Sequence, residues 1–124
     1  MSLPALTVDP HAAVAAFEQI RSQLAALIDS GNLAEGERLP TVRGLAAELG
    51  VAVNTVARAY REMEAEGLVV TASRAGTVVA PGAQREEVAL ERSAAAFAER
   101  AALSRLSENE AVELVRQAFR RLHE

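Results

Sequence analysis

Gly50 stands between two short amphipathic segments, and that punctuation constrains the chain more than any other feature. Upstream, "VRGLAAELG" puts Val42, Leu45, Ala46 and Leu49 on one face of a helix that ends at Gly50. Pro40 blocks continuation from the preceding segment and Thr41 can cap free backbone N–H groups, so the pair marks that helix's start. Downstream, a second helix runs from about Val53 to Glu66 and stops at Gly67. Two short helices joined by a tight turn that begins with glycine read as a helix-turn-helix.

The flanking segments extend that unit on both sides. From about Ala13, "AVAAFEQIRSQLAALIDSG" spaces Phe17, Ile20, Leu24, Leu27 and Ile28 by threes and fours, the period of an amphipathic helix, and Gly31 closes it. "NLAEGERLP" then supplies a turn at Gly36 and an inward Leu39. After Gly67 come two apolar strand-like runs, Leu68 to Thr71 and Thr77 to Ala80, separated by a polar turn holding Gly76. These make a hairpin, which beside a helix-turn-helix takes the place of a wing. The first nine residues, with the alternation Leu6, Val8, fit either a strand fragment or a frayed end, and we take them as flexible.

Composition narrows the function. At 124 residues the chain suits one small domain with a dependent extension. Only four residues are aromatic (three Phe, one Tyr), so the core must be built from Leu, Val and Ile. With no Cys there are no disulfides, thiolate metal sites or Cys nucleophiles, and His11 and His123 stand near opposite ends, which argues against a metal centre. No cofactor is expected. The sequence shows neither a membrane-spanning run nor a signal peptide, which points to the cytoplasm. Net charge is -4, and all 13 basic side chains are Arg, so an anionic partner must be met by locally arranged arginines rather than bulk charge.

The helix after Gly50 shows where such an arrangement lies. At about 100° per residue, Val56, Ala59, Tyr60 and Met63 share the core face, while Asn54, Ala57, Arg58 and Arg61 project from the opposite one. A helix entering the DNA major groove, about 12 Å wide, needs a small residue at closest approach and donors that reach base edges. Ala57 with Asn54, Arg58 and Arg61 fits that description. The competing reading is a solvated face in which these arginines pair with Glu48, Glu62 and Glu64. The neighbouring short helix and the hairpin with Arg74 near its tip favour the DNA reading, with Arg38 as a further phosphate partner.

"GERLPTVRGLAAELGVAVNTVARAYREMEAEGLV" resembles the winged helix-turn-helix domain of GntR-family bacterial transcription regulators, whose pattern is close to G-x-x-L-P-S-x-R-x-L-A-x-x-L-G-V-S-R-x-T-V-x-x-A-Y-x-x-L-x-x-x-G. The resemblance covers about Phe17 to Ala80. It implies that Arg43 binds phosphate or a base, that Asn54, Thr55 and Arg58 contact DNA, and that the hairpin turn around Arg74 and Gly76 approaches the minor groove. Thr55 either bonds a phosphate or supports the helix start. Ala52 stands where the family often has Ser, removing a side-chain cap; Val53 and Ala57 stand where many members carry Arg, and Arg74 where a turn Gly is frequent. These departures put base-specific contacts in question more than DNA binding itself.

"PGAQ", Pro81 to Gln84, breaks the pattern and separates a domain at 1–80 from an extension at 81–124. The extension is dense in Ala, Glu and Arg from Arg85 to about Leu106, and "SENE" places Ser107 three residues before Glu110, a capping box opening a last helix. Two helices cannot enclose a core alone, so the stripe of Phe97, Val112, Val115, Phe119 and Leu122 must either fold back or pair with a second copy. We favour pairing, because a two-fold DNA site calls for a two-fold protein. The resemblance agrees, since a tail this short is similar to the YtrA-like branch, where a two-helix extension serves dimerisation.

The expected fold is therefore mainly α with a small β-hairpin: a winged helix-turn-helix domain and a two-helix dimerisation extension. The expected function is a homodimeric, sequence-specific regulator of transcription, a repressor binding double-stranded DNA at an inverted repeat. The sequence leaves a small-molecule effector open and identifies no pocket for one. The alternative is a protein-interaction module whose winged helix no longer reads DNA. An enzyme ranks below both, because no paired carboxylates, activated nucleophile, phosphate-cradling loop or metal spacing is present.

Overall fold

The computed structural model describes residues 6–72 and 76–124. Helix α1 spans Ala16–Asp29, α2 Val42–Leu49 and α3 Val53–Ala65; strands β1 (Val69–Ala72) and β2 (Gly76–Val79) follow, then α4 (Gly82–Leu103) and α5 (Glu108–Leu122). The chain divides into two compact units, Met1–Val88 and Ala89–Glu124.

Local chemistry sets the ends of α2 and α3. Thr41 takes the N-cap of α2, its hydroxyl accepting the Gly44 N–H at 3.0 Å. In the position Thr41 Oγ1 takes here, a Cβ on residue 44 would lie 2.8 Å from it, so a side chain there would require the cap to shift. At the other end Gly50 adopts the left-handed conformation, with φ 68° and ψ 35°, and the Val51 N–H returns to the Ala46 carbonyl. Ala52 then opens α3 with no side-chain cap, the consequence expected of losing a hydroxyl there.

The first unit buries one core. Ile20 and Leu24 of α1 meet Leu45 and Ala46 of α2, Val56, Ala59, Tyr60 and Met63 of α3, and Leu68, Val69 and Val79 of the hairpin. The four α3 residues are those assigned to its inner face from helical period alone. Arg21 of α1 bridges to Glu18 and to Glu66 at the end of α3, which fixes one helix against the other.

The two strands pair antiparallel with Val69 opposite Val79 and Thr71 opposite Thr77. They sit one residue away from the expected runs, so Gly76 is the first residue of β2 rather than part of the turn. The far edge of β2 is occupied by the segment around Gly36 to Leu39. Leu39 N–H donates to the Thr77 carbonyl at 2.8 Å, Val79 N–H to the Glu37 carbonyl at 2.9 Å, and Gly36 N–H to the Val79 carbonyl at 2.9 Å. The edge is thereby closed and the hairpin tied to the α2 start.

One expectation needs correction. The amino-terminal segment is not a frayed end from Leu6 onward, since Leu6 and Val8 pack on the core. Gln23 exchanges two hydrogen bonds with the Thr7 backbone, and Gln19 two with Asp9. The match is geometric: four residues of helix rise about 6 Å, and two residues of extended chain advance about 6.6 Å. The first compact unit runs to Val88, beyond the composition break at Pro81 to Gln84. Arg85 bridges to Asp29, the Gly82 N–H donates to Glu35, and Val88 packs so closely on Gly67 that a Cβ there would fall 2.9 Å away.

In the second unit, α4 ends in a Schellman turn: Leu106 N–H reaches the Ala101 carbonyl, and Arg105 takes φ 62° without being glycine. The Ser107–Glu110 capping box is present with both reciprocal bonds. No described helix is long and apolar enough to cross a membrane.

Candidate nucleic-acid interface

Three stretches assemble the candidate surface of the first unit: the start of α2, the outer side of α3 and the hairpin. Arg43 is the second residue of α2 and is exposed beside the Thr41 cap. The Tyr60 hydroxyl, at the inner side of α3, donates to the Pro40 carbonyl at 2.7 Å, directly before that cap. Burial pushes the Tyr60 hydroxyl well above the ordinary tyrosine range, so it remains a donor at any physiological pH. This bond ties the α2 start, and Arg43 with it, to α3.

Asn54, Arg58 and Arg61 of α3 are exposed, while Thr55 and Ala57 are half-buried. They divide between two flanks. Arg61 and Ala57, with Val42, Tyr60, Thr71 and Thr77, line a cleft of about 200 Å³ between α3, the α2 start and the hairpin. Arg58 leans toward α1, its Cζ lying 3.8 Å from the centroid of the Phe17 ring. Along the helix Asn54 and Arg58 form one row at i, i+4, and Ala57 and Arg61 the other.

Charge is sorted in the same way. The ion pairs among the described residues use Arg21, Arg85, Arg116 and Arg120, and none involves Arg43, Arg58 or Arg61. Glu64, which lines the same cleft as Arg61, accepts the Thr71 hydroxyl at 2.9 Å and so anchors β1 to α3. Arginines of the second unit such as Arg92 and Arg121 also make no described ion pair, so the distinguishing property is position on this surface.

Arg38 is exposed and bridged through its backbone to Val78 of β2, at the hairpin's edge. Gly76 is exposed with φ 73°, and a Cβ there would meet nothing within 4 Å, so glycine answers to backbone conformation rather than crowding. Arg74 lies outside the described residues. Sequence reasoning did not find the Phe17 contact or the Tyr60–Pro40 bond; both residues were visible only as core positions, and their second contacts cross between elements.

The gntR family of bacterial regulatory proteins matches residues 16–79, from the first residue of α1 to the last of β2. The chain belongs to the GntR family. The chain is 51% identical over 74 residues to the HTH-type transcriptional regulator Rv1152 of Mycobacterium tuberculosis, an overlap of 60% of this chain and 61% of that protein. It is 35% identical over 79 residues to the HTH-type transcriptional repressor YtrA of Bacillus subtilis, covering 64% and 61% respectively. The chain therefore spans about three-fifths of these relatives' length, and they are transcription regulators rather than enzymes. The fold is similar, with TM-score 0.62 and 27% identity, to YtrA from Sulfolobus acidocaldarius, over 95% of this chain and 99% of that one. The likeness extends beyond the GntR domain into α4 and α5, which places the chain with the YtrA-like regulators.

The second unit carries an apolar surface of its own. Phe97, Val112, Val115, Phe119 and Leu122, the residues expected at a dimer contact, are all exposed, and Phe119 and Leu122 retain 59% and 77% of their accessible surface. No residue of α5 is buried. Leu114, which the sequence reading passed over, lines the same apolar groove as Phe97, Val115 and Phe119.

Proposed function

We propose that this GntR-family chain is a homodimeric, sequence-specific DNA-binding regulator that represses transcription from an inverted-repeat operator in the cytoplasm. The observation that carries the DNA reading is the set of exposed arginines on the α2 start and α3, left without carboxylate partners among the described residues in a chain of net charge -4. Arg43, Arg38 and Arg61 are the phosphate partners, with Arg74 of the hairpin turn added from the sequence. Asn54 and Arg58 are the base readers, since Asn suits adenine and Arg suits guanine. Thr55 supports the helix start and Gly76 lets the hairpin approach the duplex.

Homodimerisation rests on the uncovered apolar stripe of α4 and α5. Each large side chain there contributes about 1.5–3 kcal/mol when fully buried, and a two-fold contact counts every one twice. Repression follows if the dimer occupies promoter DNA, and the Bacillus subtilis relative is named a transcriptional repressor.

The test is selection of bound fragments from genomic DNA, followed by binding curves on the selected duplex and on a shuffled one. A repeated, inverted half-site and a strong preference for it support the proposal. Equal affinity for both duplexes rejects it in favour of an interaction module.

A further inference from the structure

We infer that Phe17 of α1 is a positioning residue for DNA readout, holding the Arg58 guanidinium in a stacked, donor-ready position. The inference rests on the proposed function above and adds a helix that does not itself face the groove. The Cζ-to-centroid separation of 3.8 Å is that of two flat groups in van der Waals contact. In that arrangement the ring occupies the guanidinium face, and the N–H donors, which lie in the guanidinium plane, point outward and stay available for a base edge.

A competitor makes the ring necessary. Glu62 lies one helical turn beyond Arg58, at i+4, where an exposed arginine can close an ion pair. No such pair forms among the described residues, where the Arg58 guanidinium lies over the Phe17 ring instead. Phe17 is itself half-buried against the core, so the platform does not move with solvent. Replacing the ring with an aliphatic side chain keeps the core filled but frees Arg58 to pair with Glu62, and the arginine must then leave that partner to reach DNA.

The experiment measures affinity for the selected duplex with the full chain carrying Phe17→Leu, Phe17→Tyr, Arg58→Ala, Phe17→Leu with Arg58→Ala, and Phe17→Leu with Glu62→Gln. Thermal melts accompany each variant. An exposed cation–π contact corresponds to about two- to fivefold per protomer, hence about five- to thirtyfold for a dimer reading two half-sites. Phe17→Leu is expected to weaken binding by that factor, Phe17→Tyr to retain it, and Glu62→Gln to restore part of the loss. In the Arg58→Ala background, Phe17→Leu is expected to add nothing. The inference is overturned if Phe17→Leu leaves affinity unchanged while Arg58→Ala lowers it, or if Phe17→Leu costs the same with and without Arg58, which is a packing effect alone. If Arg58→Ala is silent while Arg43→Ala weakens binding, the inference fails and the DNA-binding reading stands. If the wild-type chain prefers no duplex, both fail.

Discussion

Arg43→Ala is the perturbation whose size follows most directly from the geometry. The side chain is exposed and joins no ion pair among the described residues, and the cap beneath it is made by Thr41 and Gly44, so its loss leaves folding unchanged. If each Arg43 neutralises one phosphate, a dimer loses two contacts, and the slope of log K against log salt falls by about 1.8. Extrapolated from 1 M salt, that slope corresponds to about 1.5 decades of affinity near 0.15 M, roughly 30-fold, shrinking to about fivefold near 0.4 M. Fluorescence anisotropy on the selected duplex across that salt range measures it. A slope equal to the wild type's, or an affinity loss that does not change with salt, would refute the assignment of Arg43 to phosphate.

Three further outcomes are expected. Tyr60→Phe removes the donor to the Pro40 carbonyl and should lower stability by about 1 kcal/mol, read in a urea titration, with a fall in operator affinity beyond that of a matched surface control. Phe119→Glu should turn the dimer into monomers at micromolar concentration in sedimentation velocity, since two Phe side chains of about 1.5–3 kcal/mol each are lost and two charges enter the contact; an unchanged sedimentation coefficient would place the interface elsewhere. Glu110 is held below its ordinary value of 4.5 first by the Ser107 backbone N–H and then by the Ser107 hydroxyl, both of which favour the charged carboxylate. Its contribution to α5 is therefore complete above that ordinary value and disappears as pH falls through the lower folded-state value. Helicity of the chain should drop over that acid window, and Glu110→Gln should reduce the drop; an identical acid profile in the variant would show that the capping box is not its source.

What could be read from sequence was what is local in the chain. Thr41, Gly50, Gly67 and Ser107 act within a few residues of themselves, so the limits of α2, α3 and α5 were legible, and the period of α3 separated Met63 from Arg61 without coordinates. The contacts that organise the candidate site join residues far apart in the chain. Helical period gives the angle of Arg58 around α3 but not the side on which α1 passes, so the arginine's neighbour Phe17 was hidden. Pairing of the Gly36–Leu39 segment with β2 has no apolar alternation to announce it, because Glu37 and Arg38 sit between its two ends. The docking of Thr7 and Asp9 depends on glutamine side chains imitating a strand, a pattern with no signature in hydrophobicity. At Pro81 the break in composition was real, yet the helix it opens packs back on Gly67 before leaving the first unit.

The central claim is that the start of α2, the outer rows of α3 and the hairpin form one DNA-contacting surface. Titration of the isotopically labelled chain with the selected duplex, followed by amide and arginine side-chain NMR shifts, addresses it most directly. The account predicts that perturbations gather at Arg43, Asn54, Arg58 and Arg61 and in β2 near Gly76, while Phe119 and Leu122 stay unmoved. Shifts centred on α5, or a titration that leaves Arg43 and Arg61 where they began, would contradict it.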